Sequence, residues 1–82
     1  MSDPAAAELV VDARGLLCPL PVVKLGQAAR SQPPGSVLLL LATDEQAEED
    51  VRLWARGGGH AVLAVETEDE IIRITVKCAA AR

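Results

Sequence analysis

The sequence has 82 residues, half of them hydrophobic, with one Trp, no Phe or Tyr, and a net charge of −4. A chain of this length forms one domain, and its small core of Leu, Val, Ile and Ala leaves no room for a deep, enclosed substrate pocket. The negative charge and the lack of aromatic side chains argue against direct nucleic-acid binding. No apolar run approaches the roughly 20 residues that span a bilayer, and residues 1–4 do not resemble a signal peptide, so we expect a cytoplasmic protein.

Apolar periodicity and turn residues predict six elements in the order βαβαββ. In chain order they are strand 8–12, helix 19–30, strand 36–42, a helix that starts within 43–46 and stops at 57–59, strand 60–67 and strand 71–78. The acidic turn 68–70 joins the last two strands into a hairpin. Gly26 lies inside the first helix, where it favours close packing of that helix on the sheet.

The second helix carries the clearest start signals in the sequence. Asp44 is predicted as its N-cap, and Thr43 and Gln46 have the spacing of a capping box. Acidic residues fill its first turns and arginines its end, as the helix dipole favours. One apolar face is expected to pack on the sheet, and its members are Ala47, Val51, Trp54 and Ala55.

These elements predict an α+β fold, a two-layer α/β sandwich with a mixed four-stranded sheet. Right-handed crossovers place both helices on one face of the sheet when both β-α-β steps move in the same direction. The first three strands then run parallel, and the last runs against the third. We expect a single domain over residues 8–78, with loose tails at 1–7 and 79–82.

Cys18 is the candidate reactive residue because it lies where the first strand leads into the first helix. It is predicted as the N-cap, with Pro19 at the first helical position and Pro21 two residues later. Neither proline has an N–H, so the Leu20 N–H is the expected donor to the sulfur. The helix dipole should then lower the thiol pKa. A buried structural cysteine remains the alternative, since free cysteines are often buried.

The second cysteine and the single histidine are expected far from Cys18. Cys78 ends a strand at the opposite edge of the sheet, roughly 20 Å away, which is too far for a disulfide. His60 begins the third strand, also away from Cys18, and is expected to have a structural or capping role. Two Cys and one His are too few for a four-ligand zinc site, so no metal is expected.

Two segments of the chain resemble the TusA-like, also called SirA-like, sulfurtransferase family. Residues 11–22 contain Cys18-Pro19-Leu20-Pro21, which looks like the Cys-Pro-x-Pro motif of that family. A second similar block follows, with the residues Ala42, Thr43, Asp44, Asp50, Val51, Trp54, Gly59 and His60. The resemblance covers residues 8–78 and implies a βαβαββ fold like the C-terminal domain of bacterial translation initiation factor three.

The resemblance also implies a function as a sulfur carrier. Cys18 would accept sulfane sulfur as a persulfide and pass it on, with Arg14, Gly15, Pro19, Leu20 and Pro21 as supporting residues and no cofactor. The partners would be a donor, such as a cysteine desulfurase or rhodanese-like protein, and an acceptor, such as a DsrE-like protein. The implied pathways are tRNA thiolation, cofactor synthesis and sulfur oxidation. A regulatory or binding module of the same fold and a thiol redox protein are the alternatives, and a monomer is expected rather than a dimer.

Charges near the motif distinguish this chain from many relatives. The first helix carries only Lys24 and Arg30 as basic residues, fewer than is usual in the family. The acidic turn 68–70 is expected at the same sheet edge as Cys18, where its carboxylates would raise the thiol pKa. Arg14 is a candidate to offset that effect, although a surface arginine is usually only solubilising.

Overall fold

A computed structural model describes residues 7–79 and shows two helices packed on one face of a four-stranded sheet. The elements are β1 (Leu9–Ala13), α1 (Leu20–Arg30), β2 (Val37–Ala42), α2 (Ala47–Gly58), β3 (Ala61–Glu68) and β4 (Ile71–Lys77). This confirms the predicted two-layer α+β sandwich. The predicted tails 1–7 and 79–82 lie outside the described residues, except for Ala7 and Ala79.

The sheet order is β1-β2-β4-β3, so the last strand of the chain is inserted between the second and third. β1 pairs with β2 in parallel, and β4 runs antiparallel to both of its neighbours. Ala13 at the end of β1 is opposite Ala42 at the end of β2, which is opposite Ile72 at the start of β4. The connections that follow β1 and β2 therefore meet at one edge of the sheet.

The core lies between the sheet and the helices. Leu38 and Leu40 of β2 and Ile74 of β4 are completely buried on the helix-facing side, where Leu25 of α1 and Val51 of α2 cover them. Burial of each such side chain contributes about 1.5–3 kcal/mol. The alternation of apolar and polar residues along β4 indicates one buried and one mostly solvent-exposed face, but only the buried face is present as expected. On the other face Lys77 is exposed, while Ile71 and Arg73 are half-buried and Thr75 is buried.

Gly26 faces the second helix rather than the sheet, where the sequence suggested close packing. It is buried, and a β-carbon at this position would lie 3.5 Å from Nε1 of Trp54 on α2, which is an ordinary van der Waals distance. Gly26 therefore lies at the contact between the two helices, and the space there does not require a glycine.

The start of α2 differs from the prediction. Its N-cap is Gln46, with no side-chain capping bond, and Ala47 is the first helical residue. The Asp44 carboxylate still accepts a hydrogen bond from the Gln46 N–H (3.0 Å), but in a turn that precedes the helix. The Thr43 hydroxyl accepts instead from the Gly15 N–H (2.9 Å). The capping box is absent because Thr43 bonds to Gly15, while the Gln46 side-chain amide donates to Glu49 and Asp50 in the first turn of α2.

The β3–β4 turn is shorter than predicted. Glu68 belongs to β3, which leaves Asp69 and Glu70 as the two turn residues, both with positive φ (53° and 67°). Positive φ at both positions is typical of a type I′ hairpin turn. No helix among residues 7–79 is long and apolar enough to cross a membrane.

Candidate active site

The loop between β1 and α1 carries Cys18 and is fixed by hydrogen bonds to the β2–α2 connection. The Cys18 N–H donates to Oδ2 of Asp44 (2.7 Å), and the Gly15 N–H donates to Thr43, as described above. Gly15 has a φ of 82°, a conformation that glycine adopts without steric cost. Thr43 and Asp44 therefore hold both ends of the loop that positions the exposed Cys18.

Cys18 does not cap α1, contrary to the prediction. The N-cap is Pro19, the helix begins at Leu20, and Pro21 is its second residue. The Leu20 N–H donates to the carbonyl oxygen of Leu17 (2.8 Å), so it is not the donor to sulfur that the sequence suggested. That N–H is instead used in a turn over residues 17–20, which precedes the helix.

A groove between α1 and α2, of about 490 Å³, has Cys18 at one end. We call it the Cys18 groove, and its lining includes Cys18, Pro19, Val23, Asp50, Leu53 and Trp54. Asp50 comes from the first turn of α2 and reaches the cysteine across the helix–helix interface. The groove is open to solvent, which suits a reaction with another protein better than capture of a small substrate.

Asp50 and Asp44 raise the pKa of the Cys18 thiol. The largest cause is hydrogen bonding between the thiol and the Asp50 carboxylate, followed by desolvation and by the negative charges of Asp50 and Asp44. The predicted lowering of the thiol pKa is therefore wrong. The acidic turn between β3 and β4, which was expected to oppose the helix dipole, is not among the groups that shift it.

The cationic side chains of Arg14, which was expected near Cys18, and of Lys24 are both directed to Asp12. Arg14 forms a two-point ion pair with the Asp12 carboxylate, with N–O distances of 2.8 and 2.9 Å. This pair holds the pKa of Asp12 well below its usual range and raises that of Arg14. The Lys24 ammonium donates to the Asp12 carbonyl oxygen (2.7 Å). Arg14 therefore does not offset the carboxylates beside the thiol.

Exposed apolar side chains surround Cys18. Leu17 and Leu20 lie on either side of it in the chain and are 70% and 50% exposed. Val23 and Leu53, which are 44% and 65% exposed, line the Cys18 groove from α1 and α2. We call these four residues the apolar rim. They are four of the six large hydrophobic side chains that are exposed in the described part of the chain, so most of its exposed apolar side chains lie near Cys18.

Sequence reasoning missed Asp50, Leu53 and Val23 as parts of this site. A signal for Leu53 was available, because it lies off the apolar face of α2, where a leucine has no core to join. Asp50 gave no such signal, since acidic residues are common in the first turn of a helix. Its place beside Cys18 depends on how the two helices pack.

His60 and Cys78 lie at the opposite end of the molecule. Cys78 has a buried, free thiol, and it follows Lys77, which pairs with Val37 at the start of β2. The His60 ring stacks on Trp54 with ring centroids 4.3 Å apart, and its Nδ1 accepts a hydrogen bond from the Ala79 N–H (2.9 Å). Both residues lie away from Cys18, as the topology predicts.

Comparison with known proteins assigns the family. The family described as Sulfurtransferase TusA matches residues 9–78. The chain belongs to the TusA family. The Sulfur carrier protein TusA of Pseudomonas syringae pv. tomato is 36% identical over 72 residues, which cover 84% of this chain and 86% of that protein. This family membership confirms the resemblance based on the Cys-Pro-x-Pro motif and the second block.

Other relatives differ in length. YrkI of Bacillus subtilis is 34% identical over 87% of this chain and 95% of its own length. YrkF of the same organism is 42% identical over 82% of this chain, but the match spans only 36% of YrkF. The crystal structure of a SirA-like protein from Desulfitobacterium hafniense superposes with a TM-score of 0.77 at 24% identity, covering 87% of this chain and 97% of that one. This likeness confirms the fold.

Proposed function

We propose that this protein is a sulfur carrier that accepts sulfane sulfur as a persulfide on Cys18 and transfers it to a second protein. The observation that carries the proposal is an exposed cysteine, fixed by Asp44 and surrounded by the apolar rim, in a chain that matches the TusA family over residues 9–78. The Pseudomonas syringae relative, whose name is Sulfur carrier protein TusA, supports the same role.

The proposed sulfur transfer needs no cofactor, because the bonds formed and broken balance in each step. The Cys18 sulfur, as a thiolate, attacks the outer sulfur of a donor Cys–S–SH group, a new S–S bond forms, and the donor's S–S bond breaks. The donor cysteine leaves as a thiolate and takes up the proton that Cys18 released. An acceptor thiolate then attacks the outer sulfur of the Cys18 persulfide in the same way. No oxidant is consumed, because one S–S bond replaces another at each step.

The surrounding residues have positioning roles in this proposal. Gly15 provides the turn that directs the loop toward the β2–α2 connection, while Pro19, Leu20 and Pro21 start α1 directly after the cysteine. Arg14 stabilises the end of β1 through Asp12. The donor is proposed to be a desulfurase or rhodanese-like protein and the acceptor a DsrE-like protein, in the reducing cytoplasm where thiols persist.

A persulfide donor tests the proposal directly. After incubation with glutathione persulfide, intact-protein mass spectrometry should show an added mass of about 32 Da, one sulfur atom, on the wild type and on Cys78→Ala. Cys18→Ala should gain nothing. Equal loading of Cys18→Ala and the wild type would contradict the assignment of Cys18.

The raised pKa of Cys18 favours one alternative, a binding module of the same fold whose cysteine transfers no sulfur. A mostly protonated thiol is a weak nucleophile at neutral pH. The same mass measurement separates the two functions, because the binding module would remain unmodified by the persulfide donor in all three proteins.

A further inference from the structure

The Cys18 groove is negatively charged at the end where the sulfur lies. Asp50 lines the groove and Asp44 accepts a hydrogen bond from the Cys18 N–H, while Arg14 and Lys24 are bonded to Asp12. Arg30 also lines the groove, but it is the last residue of α1, about 15 Å along the helix from its start at about 1.5 Å per residue, and its Nη1 lies 3.8 Å from the position of a β-carbon at Gly26. Among the described residues, no Lys or Arg forms an ion pair with Asp50.

We propose that the Cys18 groove is the docking site for a sulfur-donor protein whose persulfide cysteine is flanked by a Lys or Arg side chain, and that this cation pairs with Asp50 when the apolar rim closes on the partner. The inference deepens the proposed function and rests on it. It identifies the partner by charge as well as by reaction, and it makes Asp50 a residue that determines partner specificity.

Charge complementarity selects this occupant over a second copy of the chain. A second copy would bring its own Asp44 and Asp50 against the same pair, and like charges at an interface are repulsive. An acidic partner would meet the same repulsion. A partner with a basic flank instead gains an ion pair in a place from which the apolar rim removes water, where charge pairs interact more strongly than in bulk solvent.

Docking of a cation would also change the chemistry of Cys18. In the free protein the Asp50 carboxylate raises the pKa of the Cys18 thiol, together with desolvation and Asp44. Once a Lys or Arg pairs with the carboxylate, its negative charge no longer opposes the thiolate, and the proton can pass to the donor's leaving thiolate. Cys18 is then a stronger nucleophile in the complex that brings the sulfur than in the free protein.

Two model peptides test the charge preference. Both are pentapeptides with a central cysteine in mixed disulfide with 2-mercaptoethanol, and they differ only in having Lys or Glu on each side of that cysteine. Thiol–disulfide exchange with Cys18 at pH 7 and low salt should be roughly tenfold faster for the Lys peptide than for the Glu peptide. The ratio of the Lys-peptide rate to the Glu-peptide rate should be smaller in Asp50→Asn than in the wild type. Comparing this ratio between the two proteins cancels the intrinsic difference in reactivity between the peptides.

Glu49→Gln is the matched control, since it removes one charge from the neighbouring position of α2 without altering the lining of the Cys18 groove. It should keep the wild-type ratio. In the wild type itself, about 1 M salt should reduce the ratio, because it shortens the Debye length to about 3 Å. This measurement does not depend on how any variant folds.

The outcomes separate this inference from the proposed function. Equal ratios in the wild type and Asp50→Asn, or a ratio unaffected by salt, would overturn the charge proposal even if glutathione persulfide adds sulfur to Cys18. A charge-dependent ratio without any added sulfur would support the docking preference and contradict the carrier function.

Discussion

Among the groups that raise the pKa of the Cys18 thiol, Asp50 is the largest contributor. The folded protein raises the thiol pKa above its ordinary value, so its alkylation by iodoacetamide should increase with pH to a midpoint above the roughly 8.5 of a free cysteine. Asp50→Asn removes a negative charge that opposes the thiolate, so the midpoint should move to lower pH and the rate at pH 7 should rise severalfold. A pH–rate profile of each protein measures both effects.

Glu49→Gln is again the control, and its profile should match that of the wild type. Cys78→Ala, which leaves Cys18 as the only thiol, removes any contribution from the second cysteine. Identical midpoints for the wild type and Asp50→Asn would show that Asp50 does not control the thiol.

The position of the reactive residue could be predicted from the sequence, but its electrostatics could not. Cys18 lies between a strand pattern and a helix pattern, which is local information. The sign of its pKa shift depends on Asp50, 32 positions further along the chain, and on hydrogen bonds that Asp44 and Leu20 make with other groups. Periodicity places such residues on elements, but it does not indicate which side chains meet when the elements pack.

At the scale of elements, the end of α2 carries three consecutive glycines, of which Gly57 and Gly59 have different roles. Gly59 adopts a left-handed conformation with a φ of 77°, and its N–H bonds to the Ala55 carbonyl oxygen, which closes the helix. Gly57 lies inside the helix, and a β-carbon there would meet no other atom within 4 Å.

These conformations predict opposite effects of the same substitution. Gly59→Ala should lower the free energy of unfolding by about 1 kcal/mol, because alanine is strained at positive φ. Gly57→Ala should raise it by about 0.5–1 kcal/mol, because alanine has the higher helix propensity. Urea denaturation monitored by circular dichroism measures both. A loss of stability in Gly57→Ala similar to that in Gly59→Ala would contradict the helix boundary.

The elements themselves were largely predictable, since each has an apolar pattern of its own and a glycine, a proline or an acidic turn at its end. All six form in the predicted order. The start of α2 was wrong because Thr43 bonds to Gly15 and Asp44 bonds to Cys18, and such distant contacts outweigh a local capping signal. The insertion of β4 between β2 and β3 likewise depends on pairing between strands far apart in the sequence.

At the scale of the whole molecule, the sheet separates two chemically different ends. Cys18 lies in the loop after β1, at the sheet edge where Ala13 pairs with Ala42. Cys78 comes directly after Lys77, which pairs with Val37 at the opposite edge. Five residue steps of a strand, at about 3.4 Å each, separate Ala42 from Val37 by roughly 17 Å. A disulfide requires Cα atoms within about 7 Å, so the two thiols of one molecule cannot join while the fold is intact.

Oxidation should therefore link molecules rather than close a bond within one. Diamide, a thiol oxidant, should produce a disulfide-linked dimer of the wild type and of Cys78→Ser on a non-reducing gel, and no dimer of Cys18→Ser, whose remaining thiol is buried. Because two copies bring Asp44 and Asp50 of each chain together, the dimer should form faster at about 1 M salt than at low salt. A monomer that has lost two hydrogens, or a Cys18→Ser dimer, would show that the two ends are not held apart as this sheet requires.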